Sequence, residues 1–163
     1  MLGKTAEEVE RISHNLGPTV LDNLGLATAL DDAGAQFAEK TGVPVDVACV
    51  KLTARMPADT ELALYRILQE ALRNVEKHAS AHHVKVNLSR RGEFVRLAIS
   101  DDGVGFEPEP RPVRRKGKNG LGLLSMRERA GYVGAAFKIT SKRRTGTEIE
   151  ILVPLTASVA ASA

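Results

Sequence analysis

Residues 101–129 read DDGVGFEPEPRPVRRKGKNGLGLLSMRER. No other stretch limits the fold as much. An acidic, glycine-containing turn ends a run of alternating apolar residues. No strand or helix can follow at once, because Pro108, Pro110 and Pro112 lack the amide donor that a ladder or helix needs. Residues 107–119 also carry Arg111, Arg114, Arg115, Lys116 and Lys118 and almost nothing apolar. A structureless run of this length inside a small domain is either a functional lid or a disordered insert. Gly103 and Gly105 before it allow a ligand close to the backbone. Gly120 and Gly122 after it open a helical segment whose free N–H groups form an anion site. The pattern is not a P-loop, since G-x-x-x-x-G-K-[ST] occurs nowhere, and Ser125 stands where a dinucleotide fingerprint needs its third glycine. Taken singly, Asp-Gly is also a common hairpin signal and Gly120 an ordinary helix cap.

The rest of the chain supplies a frame for this feature. At 163 residues it makes one domain, or one domain and a short appendage. There is no Trp and aromatics are 4%, so the core must be aliphatic. A lone cysteine, Cys49, forms no disulfide within the chain and suits a reducing compartment. It is expected on a strand, turned inward. No apolar run reaches a membrane span, and the N-terminus has no signal-peptide core. The net charge of +3 is too mild for a typical nucleic-acid binder.

Periodicity predicts a helix over 4–16 (Val9, Ile12, Leu16) and, beyond Gly17-Pro18, a second to about Lys40 (Leu21, Leu24, Leu26, Leu30, Phe37), with Gly42 as its C-terminal cap. A strand is expected over 43–50. A long helix follows Pro57, from about Ala58 to His78, burying Leu64, Leu68, Ala71, Leu72 and Val75, with Asp59 and Glu61 in its first turn. Strands are read through Val84, Val86 and Leu88 and through Val95 to Ile99, joined by a turn at Arg90-Arg91-Gly92. A helix over 120–133 and a hairpin turning at 143–146 complete the domain. The tail 156–163 is low-complexity and expected to be disordered. Hairpins with inserted helices make an α+β arrangement: a mixed, mostly antiparallel sheet, covered by helices on one face.

Chemistry is concentrated at a few positions. On the long helix Glu70 and Asn74 are four apart and share a face, with Lys77 and His78 one turn on. The same spacing suits a solvated face, but the Asn74 amide oxygen is also a good hard ligand for Mg²⁺. Asp101, beside Gly103 and Gly105, can accept a hydrogen bond from an exocyclic amine such as that of adenine. His82-His83 reads as incidental rather than as a metal site.

In order, the chain holds E-x-x-x-N on a helix, D-x-G-x-G after a strand, a lid, G-x-G before a helix, and Gly146-Thr147 entering a strand. This order resembles the Bergerat-fold ATPases: histidine kinases, gyrase-type topoisomerases and ninety-kilodalton heat-shock chaperones. It looks most like the catalytic domain of two-component sensor histidine kinases, through LYRILQEALRNVEKHA (N box), DDGVGF (G1), GLGLLSMRERA (G2) and GTEIEILVPL. The G2 wording and ISHNLGPTVLDNLGLATAL resemble the nitrate-sensor-like subclass that pairs with LuxR-type response regulators. The likeness covers roughly residues 5–155.

The resemblance implies a Bergerat-type two-layer α/β sandwich over 41–155, preceded by a remnant of the helical dimerisation and phosphotransfer region over 1–40. It implies ATP and Mg²⁺ as cofactors. Asp101 would take the adenine amine and Asn74 the metal. Gly103, Gly105, Gly120, Gly122 and Leu123 would shape pocket and lid, and Thr147 would support the adenine end. Lys77 or His78 would approach the phosphates, and Glu70 matches the position that activates water in ATPases of the superfamily. The expected activity is transfer of the γ-phosphate to a histidine of the parent kinase, a homodimer in full length. Expected partners are that parent and a LuxR-type regulator, with no direct nucleic acid and no membrane contact by this chain. The place is the cytoplasm, though the parent can be membrane-anchored. No acceptor motif of the E-L-H-D kind occurs, and by resemblance His14 lies on the second helix of the dimerisation hairpin, so the chain is expected to be a fragment with little activity alone. Two alternatives share the fold: a serine kinase of the anti-sigma type, and an interaction module that needs no ATP.

Overall fold

The computed structural model describes residues 18–50, 52, 55–106 and 118–155. The expected helix at 4–16 with His14, most of the basic run and the tail at 156–163 lie outside the described residues.

The expected second helix is two pieces. Residues 18–24 are helical, and Gly25 then breaks the run at φ 87 and ψ 173, an extended positive-φ conformation that is open to glycine. Helix α1 (Leu26–Thr41) starts there and buries Leu26, Ala29, Leu30 and Phe37. The break leaves Leu24 65% exposed although it falls in the apolar series. Gly42 ends α1 at φ 75, its N–H bonded to Ala38 O at 2.8 Å, as the capping rule anticipates. Strand β1 is Val45–Cys49, shorter than expected at both ends. Gly34 brings α1 close to it: a Cβ there would stand 2.8 Å from Val47 Cγ2.

Helix α2 (Ala58–Asn74) follows Pro57 and widens into a π-helical turn, Val75–Ala79, closed by Ser80 at φ 46. The sequence predicts one uninterrupted α-helix here. The Ala79 carbonyl, at the end of the widened turn, accepts the Val104 N–H at 2.7 Å. Such wide turns recur at functional sites. Glu61 is buried, 3% exposed. The Arg55 guanidinium meets it at 2.8 Å and also donates to the carbonyls of Leu21 and Asp22 at 3.0 Å. One arginine thus ties the helical residues 18–24 to the start of α2.

Strands β2 (Val84–Arg91) and β3 (Phe94–Asp101) form a hairpin. Its turn is Gly92-Glu93, with Gly92 at φ 59, so Arg90 and Arg91 belong to the strand and not to the turn the sequence suggested. Helix α3 (Lys118–Tyr132) precedes the hairpin of β4 (Ala136–Lys142) and β5 (Gly146–Pro154). The sheet order is β1-β2-β3-β5-β4. β1 runs parallel to β2, and the other pairs are antiparallel.

Alternation decides which face is covered. Val84, Val86 and Leu88, Val95, Leu97 and Ile99, and Ile149, Ile151 and Val153 all pack into one aliphatic core with Leu64, Ile67, Leu68 and Met126. The opposite face is polar, with Arg96 bridging Glu150 at 2.5 Å and Glu148 at 3.6 Å. Leu26, Leu30 and Phe37 of α1 belong to the same core as the sheet.

Candidate functional site

A cavity of about 410 Å³ lies between the C-terminal half of α2 and the β3, β4 and β5 face of the sheet. This is in the range of small-molecule sites, ~300–1,000 Å³. From α2 and its π turn come Ala71, Asn74, Val75, His78 and Ala79, a single helical stripe. The sheet contributes Ile99 and Asp101 of β3, Ile139 of β4, and Thr147 and Ile149 of β5. Val104, Gly105 and Phe106 close one side and Leu123 of α3 another. The lining is mainly apolar, with a few polar groups placed on it.

Asp101 is the acidic group of the wall. It continues the inward parity of Val95, Leu97 and Ile99 on β3 and pairs in register with Thr147. Its Oδ1 accepts the Gly103 N–H at 2.9 Å. Burial pushes its carboxyl above the usual carboxylate range, and the Gly103 bond only partly opposes this. Asp102 points the other way. Its Oδ1 accepts the N–H groups of His82 and His83 at 2.8 and 2.9 Å, and those bonds hold its carboxyl below the usual range. His83 Nε2 contacts Asp46 at 2.8 Å. The two histidines therefore fasten the loop before β2, and among the described residues no three His, Cys, Asp or Glu side chains gather as a metal cluster.

The glycines are dictated by contact. A Cβ on Gly103 would stand 2.2 Å from Ala79 O, and on Gly105, at φ 62, 2.1 Å from Lys142 O. On Gly146, at φ 106, it would stand 2.0 Å from Asp101 O. All three are backbone oxygens, which cannot step aside, so the 101–106 turn is wedged between the end of α2 and the β4–β5 hairpin. Val104 is held from both sides, by its N–H to Ala79 O and by Arg144 N–H to its carbonyl at 2.6 Å. Gly122 differs. The position of its absent Cβ is 2.6 Å from Glu70 Oε1 and 3.4 Å from Asn74 Oδ1, so one small gap at the α2–α3 contact holds both oxygens. Glu70 also accepts from Arg73 at 3.2 Å.

Of the residues singled out in the sequence, Asn74, His78, Asp101, Gly105, Leu123 and Thr147 line the cavity, while Gly103, Gly122 and Glu70 stand directly behind its walls. Gly120 lies in the first turn of α3. Lys77 is exposed and is not part of the lining. Cys49 sits half-buried on β1, where desolvation pushes its thiol up to about 11. Ser141 escaped the sequence reading. It accepts the Phe106 N–H at 2.9 Å and lies 2.7 Å from Thr147 Oγ1. Its only advance signal is strand parity with Ile139, next to Thr147 in register.

A desolvated acceptor among aliphatic side chains suits a flat, partly apolar ring bearing an N–H donor. The Asn74 amide and the Glu70 carboxylate suit a hard cation held mainly by phosphates and water, as Mg²⁺ usually is.

The family model described as histidine kinase-, DNA gyrase B-, and HSP90-like ATPase matches residues 59–157. The sensor histidine kinase MctS of Rhizobium johnstonii is 36% identical over 157 residues, which is 96% of this chain and 33% of that protein. The signal transduction histidine-protein kinase/phosphatase DegS of Brevibacillus brevis is 35% identical over 156 residues, 96% of this chain and 39% of that one. The chain spans well under half the length of these curated relatives. Among solved structures, the histidine kinase domain of the Erythrobacter litoralis EL346 blue-light activated histidine kinase superposes with a TM-score of 0.67 at 25% identity, covering 82% of this chain and 62% of that one.

Proposed function

Because the chain belongs to the histidine kinase-, DNA gyrase B- and HSP90-like ATPase family, we propose that its cavity binds Mg-ATP and presents the γ-phosphate to a histidine on another part of a sensor kinase. The observation that carries this is the half-buried carboxylate of Asp101, beside Thr147 on a mainly aliphatic sheet wall, lining the same cavity of about 410 Å³ as the Asn74 amide of α2. Asp101 accepts from the adenine amine, and the Thr147 hydroxyl stands beside it. Val75, Ile99, Ile139 and Ile149 exclude water from the ring. Asn74, with Glu70 behind it, faces the phosphate end, where bound Mg²⁺ would neutralise the triphosphate. His78 lines the same mouth, and Lys77, exposed one residue earlier, is assigned to longer-range attraction of the phosphates. Gly120 and Gly122, at the start of α3, are assigned to the lid hinge.

Most catalysis in such transfer is positioning, so a nucleotide site without an aligned nucleophile turns over slowly. The proposed partners are accordingly the acceptor-bearing helices of the parent kinase, a second protomer and a LuxR-type response regulator, in the cytoplasm. Among the described residues no helix is long and apolar enough to cross a membrane. The proposed domain boundary needs one adjustment. Helix α1 shares the core of the sheet, and so does Leu21 before it, so the ATP-binding unit is better drawn as beginning before residue 21 than at residue 41.

Calorimetric titration with ATP and Mg²⁺ tests the site, with an expected Kd between micromolar and millimolar, ~4–8 kcal/mol. Incubation with γ-labelled ATP and a separate fragment carrying the parent's acceptor helices tests the transfer. Acid-labile, base-stable label on that fragment supports it. Absence of binding, or label on serine, refutes it.

A further inference from the structure

Ser141 lies behind Thr147 as seen from the cavity, and three groups converge on its hydroxyl. The Phe106 N–H reaches Oγ at 2.9 Å, the Gly146 carbonyl is 3.2 Å away, and Thr147 Oγ1 is 2.7 Å away. A serine hydroxyl has one hydrogen to give and two lone pairs to receive. Phe106 N–H can only donate, and takes one lone pair. The Gly146 carbonyl can only accept, and takes the hydrogen. The 2.7 Å contact taken alone fits either direction, and satisfying all three groups at once assigns Thr147 as the donor into the second lone pair of Ser141. Hydroxyl polarity follows from satisfying the whole set, the usual ground on which it is assigned.

With its hydrogen so engaged, Thr147 Oγ1 keeps only lone pairs. In register across β3 and β5 stands Asp101, also an acceptor when ionised. We infer that Ser141 is a positioning residue that makes Thr147 an obligate acceptor, so that Asp101 and Thr147 together select a base carrying an amine with two N–H bonds and reject one carrying an oxo group. This rests on the ATP reading above and adds to it the residue that enforces adenine over 6-oxopurines. A site built to pair with a donor discriminates strongly against a ligand lacking it, because its own polar groups are left unmatched.

Ser141 also bonds the Phe106 N–H, so a simple structural role must be separable from a selective one. Affinities for ATP and inosine triphosphate, both with Mg²⁺, are measured by calorimetry on the wild-type chain and on Ser141→Ala, Ser141→Thr and Thr147→Val. Wild type should prefer ATP by tenfold or more. Ser141→Ala frees the Thr147 hydrogen to turn toward an oxo group, and the preference should narrow about fivefold, the equivalent of one net hydrogen bond. Ser141→Thr restores the hydroxyl and should restore the preference. Thr147→Val removes the lone pairs directly and should narrow it as much, with no further change in the double variant, since the two residues act as one unit. Thr147→Val leaves Ser141 and the Phe106 bond in place, so it decides the matter if Ser141→Ala folds poorly. Equal weakening of both nucleotides by Ser141→Ala and Thr147→Val, with the ratio unchanged, would overturn the inference and leave the ATP reading standing. Failure of the wild type to bind ATP would overturn both.

Discussion

Replacing Gly122 by Ala should raise the stability of the fold while disturbing its site. Gly122 lies within α3, and its φ is not left-handed, so the backbone does not require glycine. Alanine in a helix interior is favoured over glycine by ~0.8–1.0 kcal/mol. Against this stands one contact, the new Cβ 2.6 Å from Glu70 Oε1. That oxygen is the far end of a flexible side chain and can swing away. Doing so gives up the Glu70–Arg73 pair at 3.2 Å, whose arginine is 56% exposed. Water screens such an i,i+3 pair, so it is worth at most ~0.3–0.5 kcal/mol. The expected net gain is about 0.5 kcal/mol, or a Tm higher by about 1–2 °C. In a Glu70→Ala background nothing has to move, and the same substitution should give the full ~0.8–1.0 kcal/mol. The difference between backgrounds is the coupling of the two residues. Urea unfolding of the four proteins measures it, and calorimetry with Mg-ATP should show weaker binding for Gly122→Ala alone. If Gly122→Ala loses more than about 1 kcal/mol in both backgrounds, the helices meet more rigidly than this reasoning allows. A stability gain equal in both backgrounds would mean that Glu70 does not occupy the gap.

Gly146→Ala should behave in the opposite way, because φ 106 and a Cβ 2.0 Å from the Asp101 carbonyl leave no side chain that can yield; a loss of ~3 kcal/mol or more is expected by chemical denaturation. Asp101→Asn should bind Mg-ATP more weakly, by ~1–3 kcal/mol in titration, yet melt higher near neutral pH. Burial raises the folded-state pKa of Asp101, so its contribution is complete below the unfolded value of about 3.9 and is lost as pH rises through the folded value. The melting advantage of Asp101→Asn should accordingly grow as pH rises through that window and level off above it, and an advantage that shrinks with pH would contradict the sign. Asn74→Ala should leave urea stability unchanged or slightly higher, since alanine is the better helix former, while abolishing most of the Mg²⁺ dependence of nucleotide affinity.

Much of the layout could be read without coordinates. Period-two alternation through Val84, Val86 and Leu88 located β2 and its covered face, and the apolar stripe through Leu64, Leu68, Ala71 and Leu72 located α2 and its buried side. Gly42 ended α1 where the capping rule expects. Other residues carry no such local mark. Glu61 reads as a carboxylate favoured by the helix dipole, yet it is buried because Arg55 approaches from a segment with no periodicity of its own. The π turn at Val75–Ala79 reads as ordinary helix in the sequence, and its Ala79 carbonyl meets the Val104 N–H of a distant turn that no local pattern announces.

By itself, then, the sequence determined which faces turn inward, which glycines punctuate the chain and which polar residues stand where chemistry could use them. All of these follow from interactions within about one helical turn or one strand pair. Only the tertiary structure decided that β5 lies between β3 and β4, so that Asp101 meets Thr147 and Thr147 meets Ser141. Strand order depends on pairings between segments far apart in the chain, and a residue's own periodicity states its face but not its neighbour. The site is made of such neighbours, which is why its parts were legible and its wiring was not.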